Sequence, residues 1–124
     1  MTMKNLISIV EIPTEDFSRA VTFYQAVLNI SIEEIEMGGV RMGLFPNDGE
    51  NVVVQLINGS EYKPSIDGTI VYLNAKDDLQ TVANKIEANG GEIVVPKTEI
   101  GPEMGFYAMF RDTERNKLGL HSGN

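Results

Sequence analysis

The side chains best suited to chemistry in this chain are few and widely separated. Its only histidine, His121, stands in the closing stretch RDTERNKLGLHSGN, and Glu11 ends the first apolar run just before Ile12-Pro13. A carboxylate can orient and tune an imidazole, so Glu11 and His121 together could form an acid–base pair if their side chains come within hydrogen-bonding reach. Gln55 is an amide among Val52, Val53, Val54, Leu56 and Ile57, where it needs a partner and reads as ligand-facing. Gly119 lies two residues before His121, in what reads as mid-strand. Glycine weakens pairing there and marks the close approach of a ligand or another backbone. Plainer readings stand beside these. His121 as a partly exposed strand-end residue is favoured over His121 as a catalyst. Glu11 reads equally as an acceptor for turn backbone or the partner of a lysine or arginine.

Other chemistry is excluded by composition. The chain has no cysteine, which rules out disulfides, thiolate nucleophiles and cysteine-ligated metals. It has no nucleophile elbow, no phosphate-cradling glycine loop and no histidine pair on a helix. The formal net charge of −8, with no basic run, argues against nucleic acid and anionic membranes as partners. No apolar stretch approaches a membrane span and the amino terminus lacks a signal-peptide pattern, so a cytoplasmic protein is expected. With 124 residues, 42% hydrophobic and 23% charged, residues 1–124 read as a single globular domain.

The elements that must position these residues follow from periodicity. Leu6 to Ile12 reads as a strand ended by Pro13. Thr14 is expected to cap a helix with Glu15 and Asp16 in its first turn, and Phe17, Ala20, Val21, Tyr24, Val27 and Leu28 form its apolar face. Strands are predicted over Ser31–Glu36, Val40–Phe45 and Val52–Ile57, parted by Gly38-Gly39 and by Pro46-Asn47-Asp48-Gly49. After a polar connector over Asn58–Gly68 the order repeats. Thr69–Ala75 is a strand, Asp77-Asp78 opens a helix bearing Leu79, Val82, Ala83 and Ile86, and Gly90-Gly91 ends it. Glu92–Val95, Phe106–Phe110 and Lys117–His121 are the last three strands. Asp16 and Asp78 occupy matching places 62 residues apart, so the prediction is an α+β fold of two tandem βαβββ modules, about 6–57 and 69–121. Each sheet then packs a helix on one face and leaves a curved, barrel-like face open for a ligand or a second sheet. Met37, Met42, Met104 and Met109 read as packing, Arg41 as a surface ion pair, and Glu33, Glu34 and Glu36 as a solvated strand edge.

With this repeat, the segments EIPTEDFSRAVTFY (11–24), VANKIEANGGEIVVPKTEIG (82–101) and GFYAMFRDTERNKLGLHS (105–122) resemble the glyoxalase/bleomycin-resistance/dioxygenase, or vicinal oxygen chelate, superfamily over essentially the whole chain. Arg115 departs from the resemblance: the family's turn has glycine there, in a D-T-E-G-N pattern, and a left-handed backbone suits arginine less well. In metal-dependent members, four side chains on the first, fourth, fifth and last strands hold a divalent ion, at about 2.0–2.2 Å for imidazole and carboxylate ligands. Counted from the helix starts, those positions fall on Ile9, Gln55, Val71 (or Ile70) and Gly119. Three of them offer no side-chain ligand and Gln55 offers one carbonyl, so no metal is expected. Strand alternation then turns Ile7 and Glu11 to the same side as Ile9, Val53 and Ile57 to the side of Gln55, and Lys117 and His121 to that of Gly119.

The resemblance implies a metal-free, glyoxalase-like protein that binds a small organic molecule in the sheet cavity through Glu11, Gln55, Gly119 and His121, and that forms a homodimer. Its alternatives are a lyase or isomerase, using either a divalent metal on displaced ligands or Glu11 and His121 without metal, and a dimerisation module that takes no ligand.

Overall fold

The computed structural model describes residues 6–49 and 51–124; the reading of the extreme amino terminus therefore lies outside the described residues. The first module runs β1 (Ile9–Pro13), α1 (Phe17–Leu28), β2 (Glu33–Met37), β3 (Val40–Leu44) and β4 (Val53–Asn58). The second runs β5 (Tyr72–Asn74), α2 (Leu79–Ile86) with a 3₁₀ turn over Glu87–Asn89, β6 (Glu92–Gly101), β7 (Gly105–Arg111) and β8 (Lys117–Ser122). The two four-stranded mixed sheets have orders β1-β4-β3-β2 and β5-β8-β7-β6, the same order in both repeats. Each helix carries the chain from one edge of its sheet to the other, and two antiparallel turns bring it back to lie parallel beside the first strand. At Gly38-Gly39 both residues have positive φ (+56° and +82°), the conformation that a two-residue turn between twisted strands demands.

Several predicted boundaries shift, each for a local reason. The first strand begins at Ile9 rather than Leu6, whose side chain is 87% exposed. Thr14 does not cap α1. Its amide and hydroxyl both donate to the Ile57 carbonyl, at 2.8 and 3.0 Å, tying the end of β1 to β4. The cap is Asp16, extended at φ −117° and ψ 99°, whose carboxylate accepts the Arg19 N–H. β6 runs to Gly101, six residues past the predicted end at Val95, despite Pro96. It is an edge strand, where a missing N–H costs no ladder bond, and it carries register shifts on either side of the proline.

One hydrophobic core serves both modules. Phe17, Phe23, Tyr24 and Leu56 from the first cluster with Leu79, Ile86, Phe110 and Leu120 from the second, and the Phe23 and Phe110 rings meet at 6.3 Å. The turn between β7 and β8 adds a buried polar junction. Glu114, 1% exposed, accepts the Glu15 and Asp16 N–H groups (2.8 and 2.6 Å), Arg19 Nε (2.8 Å) and the Thr113 hydroxyl (2.9 Å). Burial alone pushes its carboxyl up, but the Arg19 guanidinium and the other donors more than offset this and hold it below its ordinary value. Asp112 accepts the buried Tyr24 hydroxyl at 2.7 Å and the Asn116 side chain at 3.1 Å. Burial dominates at Asp112 and leaves its carboxyl above the usual range. Asn116 Nδ2 also donates to the Pro13 carbonyl at 2.7 Å, so the end of one module holds the start of the other. Among the described residues no helix is long and apolar enough to cross a membrane.

Candidate functional site

Because the modules meet through helices and helix-side residues, the opposite sheet faces stay uncovered. Alternation decides what these faces present. In β1, Val10 and Ile12 join the core, which leaves Ile9 (57% exposed) and Glu11 on the open side. Glu11 pairs across the parallel ladder with Gln55, and Gln55 Nε2 donates to Glu11 Oε2 at 3.0 Å while lying 3.7 Å from the Met42 sulfur. Gln55 is 8% exposed. Its amide is satisfied by a neighbouring carboxylate, so the apolar run around it does not leave it without a partner.

The second sheet repeats this arrangement with different chemistry. Leu73 joins the core, so Tyr72 and Asn74 turn outward. Tyr72 pairs with Gly119, and Gly119 with Met109; Asn74 pairs with His121, and His121 with Tyr107. The Tyr72 and Tyr107 rings approach edge-on at 6.5 Å. A Cβ on Gly119 would overlap the Tyr72 ring. The glycine therefore answers the question its mid-strand position poses: the space a side chain would fill holds a tyrosine from the neighbouring strand. Tyr72, Asn74, Ile100 and His121 line a shallow cleft of 390 Å³.

The ladder pairs do not coincide with the positions counted from sequence, Ile9, Gln55, Val71 (or Ile70) and Gly119. Gln55 has Glu11, not Ile9, as its ladder partner, and Gly119 has Tyr72, whereas Val71 packs against the core. One extra residue also offsets the two repeats and makes Ile70, the alternative to Val71, the counterpart of Ile9. Ile12 stands four residues before the cap Asp16, but Leu73, its counterpart in burial, stands five before the cap Asp78. The addition sits in the turn where Lys76 takes a left-handed φ of +65° and donates its N–H to Asn74 Oδ1. The 62-residue spacing thus holds for the helices and fails by one for the strands before them.

Glu11 and His121 do not meet. Glu11 is engaged by Gln55 and shares a 180 Å³ cleft with Lys117, between β1, residues 63–71 and the start of β8. His121 Nε2 lies 3.0 Å from the Met104 carbonyl. The four expected residues therefore separate into two pairs, Glu11 with Gln55 and Gly119 with His121, one on each sheet. Tyr72, Asn74 and Tyr107 complete the second pair's surroundings; their signal was the alternation within predicted strands. Arg41 pairs with Glu34 at 3.7 Å, as expected, and also lies 4.5 Å over the Phe17 ring. Met37 and Met104 are 63% and 61% exposed, so neither is core packing.

The donor set does not fit a chelated divalent ion. The strand pairs facing the open surfaces supply one carboxylate already bonded to an amide, one amide carbonyl, one phenol and a glycine, short of the carboxylate and imidazole groups such ions need. Among the described residues no three His, Cys, Asp or Glu side chains converge.

Two repeats of identical strand order, each with a helix on one face and the other face open, define a glyoxalase-type α+β fold. Residues 6–120 match the Glyoxalase/Bleomycin resistance protein/Dioxygenase superfamily, and the chain belongs to that family. A glyoxylase-like domain-containing protein of Didymella fabae is 30% identical over 126 residues, covering 94% of this chain and 92% of the relative. Among solved structures, glyoxalase I from Zea mays superposes with a TM-score of 0.74 at 15% identity, over 93% of this chain. This chain spans only 43% of the maize protein's length. The fosfomycin resistance protein FosX of Listeria monocytogenes gives a TM-score of 0.67 at 19% identity, covering 98% of this chain and 96% of that one. These structural likenesses establish the shared fold.

Proposed function

We propose that this protein binds a small organic molecule on its open sheet faces without a coordinated metal, with Glu11 and Gln55 from the first sheet and His121 and Tyr72, seated over Gly119, from the second as contacts. One observation carries the reading. At corresponding cross-strand positions of the two repeats, Glu11–Gln55 and Tyr72–Gly119, an exposed polar or aromatic side chain lies beside a buried partner on the sheet face turned from the helices. A few placed polar groups in an apolar, aromatic surround is the usual make-up of a small-molecule site. A binding role is favoured over an acid–base enzyme because Glu11 and His121 are engaged by Gln55 and Met104 rather than by each other.

The same faces expose Ile9, Ile35, Met37 and Tyr72, each at 40% or more. Apolar side chains exposed on both sheets are surface that a second chain would cover, and pairing two chains would enclose a ligand between sheets. The protein is accordingly proposed to be a homodimer.

The test is a thermal-shift screen of small organic molecules followed by titration of any hit. Gly119→Glu, which adds a carboxylate against the Tyr72 ring, should abolish binding of the hit, and His121→Ala should weaken it less. A hit bound equally by Gly119→Glu and the parent would place the site elsewhere. A monomer by light scattering at micromolar concentration would remove the dimer.

A further inference from the structure

A second, larger cleft of 640 Å³ lies where the connector meets the turn between β7 and β8, and none of Glu11, Gln55, Gly119 or His121 lines it. Its walls are cationic in a chain of net charge −8: Lys63, Arg111 and Arg115 all border it. Among the described residues neither Lys63 nor Arg115 has an ion-pair partner. Arg111 reaches only Glu92, at 3.3 Å across an exposed pair, and its Nε is buried with no hydrogen-bond partner. A buried guanidinium N–H without an acceptor is a cost that the side chain, 41% exposed, would shed by turning toward a ligand in the cleft.

Arg115 adds an independent observation. It holds a left-handed φ of +74°, a conformation comfortable for glycine and strained for a long side chain. Lys76 and Glu103 share this conformation in turns of their own, but of the three only Arg115 borders this cleft. Two carboxylates also border the cleft, Glu15 and Glu114. Both oxygens of Glu114 are engaged by Arg19, Thr113 and backbone N–H groups, which leaves Glu15, exposed, set against Lys63, Arg115 and the Glu92-paired Arg111. The connector side presents the Tyr62 ring, Pro64 and Ile66, the last 46% exposed.

We propose that this cleft is a binding site for a phosphate monoester, its dianion held by Arg111, Arg115 and Lys63 and its organic part against Tyr62, Pro64 and Ile66. Arginine forks suit a tetrahedral oxyanion because two N–H groups can bond two of its oxygens at once. Lys63 and Ser65 also border the cleft beside Glu11, but Arg111, Arg115 and Tyr62 do not, so failure at the two arginines would leave the sheet-face reading untouched.

The experiment is an NMR titration of ¹⁵N-labelled protein at constant ionic strength, with inorganic phosphate in one arm and phenyl phosphate in the other. Amides within 59–66 and 111–116 should shift saturably in both arms, with phenyl phosphate bound several-fold more tightly. Arg115→Gly and Lys63→Ala should each weaken phenyl phosphate by about tenfold, and Arg115→Gly should melt at a higher temperature as its backbone strain is relieved. Absence of saturable shifts in those segments, or an Arg115→Gly protein that binds like the parent, would overturn the site. Equal affinity for the two probes would overturn the place assigned to the organic group.

Discussion

Replacing Gly119 with alanine places a methyl group where the Tyr72 ring now lies, and the consequence can be worked from the neighbours. Tyr72 is 49% exposed, so its ring can swing toward solvent rather than force the backbone apart. Leaving its rotamer costs about 0.5–1.5 kcal/mol, and losing the edge-on contact with Tyr107 costs about 0.5–1.5 kcal/mol more. Against this, alanine in a strand gains about 0.5–1 kcal/mol over glycine by restricting the unfolded chain. The net expectation for Gly119→Ala is a loss of about 1 kcal/mol. In a Tyr72→Ala background the obstruction is gone and the same substitution should stabilise by about 0.5–1 kcal/mol. The sign therefore reverses, with a coupling of roughly 2 kcal/mol, within the range for residues in direct contact. Urea denaturation of the four proteins measures it. A coupling below about 0.3 kcal/mol, the scatter of independent sites, would show that the tyrosine is not why position 119 is glycine, and the second half of the proposed ligand site would lose its geometry.

Glu114→Gln should destabilise by about 2–3 kcal/mol, because a neutral amide cannot accept from Arg19 and two backbone N–H groups as a carboxylate does. Its folded carboxyl lies below the ordinary 4.5, so its contribution is complete above that value and is lost as pH falls through the lower folded value. Melting temperature against pH should fall on the acid side in the parent and flatten there in Glu114→Gln; parallel curves would contradict this. Asp112 acts in the opposite direction: its raised carboxyl costs stability at neutral pH, and protonation relieves that cost as pH falls through its folded value. Tyr24→Phe should lose about 1.5–3 kcal/mol, the value of a hydrogen bond to a charged acceptor, and a change under 0.5 kcal/mol by urea denaturation would mean Asp112 finds another donor. Protein dialysed against nickel, zinc or manganese should keep no stoichiometric ion, and chelator should leave its melting temperature unchanged; one tightly held ion per chain by elemental analysis would overturn the metal-free reading.

Strand and helix order, the repeat, the turns at Gly38-Gly39 and Gly90-Gly91 and the open sheet faces were legible in the sequence, because periodicity and turn chemistry are local signals. Residues set beside one another by folding were less so. The helix spacing of 62 residues predicted matching strands, but one extra residue before Asp78 slipped the second strand. With a side-chain period of two, that slip makes Tyr72 rather than Leu73 the counterpart of Glu11, and so the residue beside Gly119. Gln55 looked like an amide in need of a ligand, since nothing in the chain announces that a parallel ladder lays Glu11 against it 44 residues away. Thr14 looked like a helix cap because its type suits one, until β4 supplied a nearer carbonyl. The residues DTER carried no signal of a junction, yet Glu114 gathers the start of α1 across 98 residues of chain. Local sequence determined which elements form and which faces they bury. Only tertiary structure decided which polar groups neutralise one another and which are left facing a cleft, because those pairings depend on register and long-range approach.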